Sequence, residues 1–111
     1  MPSPHPVTEQ AQDLARRMAR SGVVPAPGQT LNEAVALLAA ARNAAYAEAS
    51  RGRLGSGVSM LLRALNSQPM SHELQSDMAA LLLSAGEYAH AASYAREALA
   101  LGARRRTRAP G

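Results

Sequence analysis

The side chains able to do chemistry are few in this 111-residue sequence, and their spacing assembles no reacting group. There is no Cys, which removes disulfides, thiolate ligands and thiol nucleophiles together. His5, His72 and His90 are scattered, with no ligand set at i+3 or i+4 that would close a metal site. Glu87 and His90 stand three apart, the spacing of an ordinary charge pair on a helix surface. No Ser lies in a G-x-S-x-G elbow, and the run GRLGSG (Gly52 to Gly57) lacks the Lys and the preceding strand of a phosphate loop. The residues therefore predict a protein that is not an enzyme and uses no metal or cofactor.

All twelve basic residues are Arg, and four of them (Arg104, Arg105, Arg106, Arg108) fall in the last eight positions. The formal net charge is +4, so the rest of the chain is neutral and the basic character belongs to the C-terminal end. A nucleic-acid surface would interleave a basic stripe with aromatics for stacking. Three Tyr, no Phe and no Trp argue against one. The opening MPSPHPVTEQ has no basic start followed by an apolar stretch, and no run is long enough to span a bilayer. A cytoplasmic protein without a membrane span is expected.

The elements that carry these residues follow from composition. Ala makes up 25 residues, Ile is absent along with Phe and Trp, and the large apolar side chains are mostly Leu and Met. Ala has the highest helix propensity, while the β-branched and aromatic residues that fill sheets are scarce. An all-α array of about five helices follows. Residues 1–6 hold three prolines and read as a disordered lead-in. Thr8 is the expected N-cap of a first helix from Val7 to Arg20, whose stripe of Val7, Ala11, Leu14, Ala15 and Met18 needs burial. Thr30 to Glu33 forms a capping box that opens a second helix reaching toward Gly52. A third spans Leu54 to Ser67, with Leu54, Val58, Leu61, Leu62 and Leu65 on one face. Ser71 caps a fourth, from His72 to Ala85. A fifth runs from Tyr88 to Leu101, turning Tyr88, Ala91, Ala95, Ala98 and Leu99 inward, and Gly102 is its expected terminator. The helical domain is thus 7–102, followed by a flexible Arg-rich tail at 103–111.

Residues 38–71 and 72–105 align at an offset of 34. Gly52 falls on Gly86, Leu54 on Tyr88, Gly57 on Ala91, Ala64 on Ala98 and Leu65 on Leu99. This pattern resembles the tetratricopeptide repeat. Met78, Ala79 and Leu82 stand at the family's Leu, small and aromatic positions, and Pro69 closes the first copy. Two departures stand out: Glu48 occupies the place of Leu82 in the first copy, and Gln75 takes an apolar place in the second. They predict that the first copy's leading helix is rotated or shifted. The resemblance covers about 68 residues by the repeat length and leaves the first helix as a non-repeat cap.

The resemblance implies that partners are held by the inner face of each repeat's first helix: Ala39, Arg42, Tyr46 and Ala49, then Glu73, Ser76, Ala80 and Leu83. Tyr46 fits either a groove or a core, and Arg42 reads as an exposed side chain of no special role. A family specialisation that grips C-terminal carboxylates does not fit, because there is no Lys and only Arg42 and Asn43 are placed for it. A mostly small, apolar face suits an amphipathic helix. In size and repeat number the chain is similar to the small chaperones of bacterial type III secretion, which implies an adaptor or chaperone for a secreted subunit, with a small helical co-chaperone or a homo-oligomer covering the remaining apolar edge. The other reading from residues is an oligomerising structural or regulatory domain with its basic tail on RNA or membrane.

Overall fold

The computed structural model describes residues 6–108, with side chains for residues 9–104. Among these the chain is all-α, with no strand. Helix α1 spans Pro6–Ser21, α2 Leu31–Ser50, α3 Leu54–Ser67, α4 His72–Ser84 and α5 Tyr88–Arg108. The closest pairs are the hairpins α2–α3 and α4–α5, joined through α3–α4. No helix of the described residues is long and apolar enough to cross a membrane.

The helix starts are local chemistry. Thr30 Oγ1 accepts from the Glu33 amide at 3.1 Å while the Thr30 amide donates to Glu33 Oε1 at 3.3 Å, closing the capping box. Ser71 caps α4 by accepting from the Leu74 amide at 3.3 Å. The two hairpin turns are built alike, bond for bond. Arg51 and Ala85 donate to the carbonyls four residues back, Gly52 and Gly86 to those three back, and Arg53 and Glu87 reach the Glu48 and Leu82 carbonyls. Both glycines have φ of +80°, the left-handed helix ending that a Cβ disfavours. The bonds recur at an offset of 34 residues although Glu48 does not repeat the apolar Leu82. Arg53 and Arg51 instead pair with Glu48 across the turn, and the hydrogen bond from Arg53 holds its carboxyl below the usual range.

Three expectations at the ends need correction. Helix α1 begins at Pro6, where the missing N–H costs nothing, so Thr8 lies inside the helix and is not its cap. Its stripe is largely uncovered: Met18 packs on the core, whereas Ala11, Leu14 and Ala15 are exposed. Helix α5 does not stop at Gly102 but continues to Arg108. An interior Gly costs only about 1 kcal/mol, Leu101 beside it is buried, and Arg104 bonds back to Glu97 at 3.4 Å. Residues 103–108 of the expected tail are therefore helical, while residues 1–5 of the lead-in and 109–111 of the tail lie outside the described residues.

The core joins Leu31, Ala34, Leu38 and Ala45 of α2 to Leu61 and Leu65 of α3 and Leu74, Met78 and Leu81 of α4. The loop after α1 belongs to it as well. Val23 is buried, and the Gln68 side chain clips the Val24 backbone, accepting from its N–H and donating to its C=O at 2.8 Å each. At the centre, α3 approaches its neighbours through Gly57. A Cβ there would stand 2.7 Å from the Ala45 carbonyl oxygen and 2.9 Å from Leu81 Cδ2.

Two glycines of α3 should consequently respond in opposite ways. Gly57→Ala is expected to cost about 1 to 3 kcal/mol by overpacking. Gly55→Ala, with open space around it, should gain roughly 0.5 to 1 kcal/mol from helix propensity. Urea denaturation of the pair checks both signs, and equal effects would contradict the close approach.

Candidate functional site

On an α-helix, residues four apart share a face. Arg42 and Tyr46 of α2 do so, as do Glu73 and Asp77 of α4, and the two faces meet. Arg42 donates from Nε to Asp77 Oδ2 at 2.5 Å, from one terminal nitrogen to Asp77 Oδ1 at 3.3 Å, and from the other to Glu73 Oε2 at 2.8 Å. The Tyr46 hydroxyl donates to Asp77 Oδ1 at 2.7 Å. Asp77 is buried at 5 % exposure, while its partners reach solvent on one side.

A buried carboxylate is tolerated only when paired and hydrogen-bonded, and three donors supply that here. The bond to Asp77 raises the Arg42 guanidinium above its ordinary value. Burial pushes the Tyr46 hydroxyl up to about 12, and its bond to Asp77 adds to the shift. With one cation between two carboxylates the cluster carries a net negative charge. Both Asp77 oxygens are spent on Arg42 and Tyr46, and among the described residues no buried side-chain polar atom lacks a partner. The arrangement is a clasp between α2 and α4.

Of the eight residues expected on the inner face, Arg42, Tyr46 and Glu73 are brought together. Ala39, Ser76, Ala80 and Leu83 are exposed and take no part in the clasp, and Ala49 packs partly against the core. Arg42 is thus not the unremarkable exposed side chain expected of it, and the otherwise small and apolar face is charged at its centre. Asp77, the residue that organises it, was not among the residues expected there. The available signal was an acidic i, i+4 pair in α4 lying 31 and 35 residues after Arg42, close to the repeat length.

A second feature lies on the opposite flank of α2. Leu37, Ala41 and Ala44 line a groove with Met60 and Ala64 of α3, and Val24 of the loop walls one side. Its volume is about 680 Å³. Leu37 is 61 % exposed and Val24 53 %, while Gln29, Arg63 and Gln68 make a polar margin. None of these residues was among those expected to bind. Among the described residues no three His or carboxylate side chains group to hold a metal.

Removing the organiser of the clasp should matter far more than removing its exposed arm. Asp77→Ala strands Arg42 and Tyr46 and is expected to cost about 2 to 4 kcal/mol, whereas Glu73→Gln should cost under about 1 kcal/mol; thermal unfolding of both variants tests the ranking. The clasp also sets a pH dependence. Folding raises the Tyr46 pKa from 10.0 to about 12, so the unfolded chain loses this proton first. The contribution is complete below pH 10 and falls away as pH rises toward 12. Ultraviolet titration should show tyrosinate forming near pH 12 that Tyr46→Phe removes; its absence from the unmutated protein would mean the bond is open in solution.

No family model matches the chain, and neither does any curated protein or solved structure; its function has to be read from its own surfaces.

Proposed function

We propose that this chain is a non-enzymatic protein-binding module, an adaptor or chaperone, that seats an amphipathic helix of another protein. The observation that carries the reading is the open groove between α2, α3 and the loop, apolar along its floor with a polar margin. A helix with one greasy stripe buries that stripe in such a groove and leaves its polar face to water. Burial of a Leu-sized side chain is worth about 1.5 to 3 kcal/mol, so a few anchors give a specific complex. The internal 34-residue spacing supports a tetratricopeptide-like identity as part of this proposal. Size and repeat number support kinship with the small chaperones of bacterial type III secretion, and with it a cytoplasmic location. The polar clasp on the other flank of α2 gives the array a fixed curvature, against which the partner registers.

The test is binding of the native partner, recovered on the full chain and then purified, to the protein and its variants. Leu37→Asp should weaken binding by one to two orders of magnitude while circular dichroism stays helical, because Leu37 is already exposed. If Leu83→Asp does this and Leu37→Asp does not, the helix lies on the α2–α4 face and the groove is not its seat.

A further inference from the structure

The two ends of the helical array are unfinished in complementary ways. In α3, Leu61 and Leu65 are 0 % and 7 % exposed, and Leu54 and Val58 pack against the same core, which includes Leu74, Met78 and Leu81 of α4. The residues 34 further on are Tyr88, Ala92, Ala95 and Leu99 of α5. They form the same i, i+4, i+7, i+11 stripe, yet Tyr88 and Leu99 are each 69 % exposed. No helix among the described residues covers them. Positions turned toward their own hairpin keep their cover, as Gly57 and Ala91 are both buried.

The opposite end mirrors this. Ser71, the N-cap of α4, and Leu74 and Met78 within the helix are buried. Their equivalents in α2 are Leu37, Ala40 and Ala44, all exposed, and Leu37 and Ala44 line the groove. One end therefore presents an uncovered stripe, and the other presents the counterpart of the surface that covers such a stripe inside the chain.

We infer that the occupant is a second copy of this chain, with α5 of one copy seated in the α2–α3 groove of the next, so that copies stack head to tail and repeat the internal α3–α4 junction. This rests on the reading of the groove as a helix seat and names the helix that fills it until a partner displaces it. Continuity with the junction already inside the chain singles out this occupant. The contact joins two different surfaces, so each copy added presents the same free edges to the next. The clasp is not reproduced across it, because Ser76 and Ala80 stand where Arg42 and Tyr46 stand one repeat earlier. The association is accordingly weak, reversible and indifferent to salt.

Sedimentation equilibrium of the full chain tests this. The average mass should rise steadily with concentration, unchanged between low and high salt. Leu37→Glu blocks the groove and Leu99→Glu the stripe, and each alone should lower the association constant at least tenfold with helical content intact. Mixed in equal amounts they should form a discrete dimer that grows no further, since each retains the edge the other lacks. Ala44→Glu and Tyr88→Glu, both at exposed positions, serve as a second pair. A chain monomeric at every concentration, loss of association through only one edge, or a mixture that forms no dimer would each overturn the inference. A monomeric chain whose partner binding still falls with Leu37→Asp would leave the helix-seat reading standing. Association lost in Leu37→Glu with partner binding intact would instead remove that reading and keep the stacking.

Discussion

The protein has no Phe, Trp or Ile to fill space between its helices, so its helices must come close together, and Gly57 is where they do. With no side chain at that position, α3 rests within van der Waals reach of the Ala45 carbonyl and the Leu81 methyl. Dispersion is short-ranged, and a gap of even a fraction of an ångström forfeits much of it. Close approach therefore substitutes for bulk. Leu61, Leu74 and Met78, all essentially inaccessible to solvent, are packed around that contact and depend on it.

Close approach also explains why a charged clasp can exist here. Two helices held near one another bring Arg42 and Tyr46 within reach of Glu73 and Asp77, and the low dielectric around Asp77 strengthens the bonds it accepts. The same burial makes the pairing of Asp77 obligatory, since an unpaired Asp77 at 5 % exposure would be a buried charge without compensation. The clasp fixes how α4 lies on α2, and that relation sets how the second hairpin follows the first. No residue of α1 lines the groove on the other flank of α2. Arg17 reaches Asn32 at 2.7 Å and Met18 touches the core, but Ala11, Leu14 and Ala15 stay in water.

Among the described residues no helix caps the outer face of α5, and the consequence is physical as much as architectural. Repeat arrays bury their apolar surface between neighbours, so a terminal hairpin keeps an uncovered face unless a polar cap replaces the neighbour. Here Tyr88 and Leu99 at one end and Leu37 at the other remain apolar. In the proposed reading, binding and stacking draw on the same unsatisfied surface, and competition between them gives a resting state and a loaded one.

What the sequence determined by itself was local. The Thr30–Glu33 box, the Ser71 cap, the glycine turns at 52 and 86 and the helices between them rest on bonds among residues at most a turn or two apart, and composition left no alternative to helix. The tertiary structure alone decided the rest. Asp77 became the organiser of a site only when α2 and α4 were set side by side, and Gln68 became a clip only when the loop folded back onto it. The same holds for exposure: Tyr88 and Leu99 carry the apolar pattern of Leu54 and Leu65, and a periodic stripe reports that a face can be buried. Whether it is buried depends on whether a further helix lies beside it, which is a property of the neighbour and is written nowhere in the stripe.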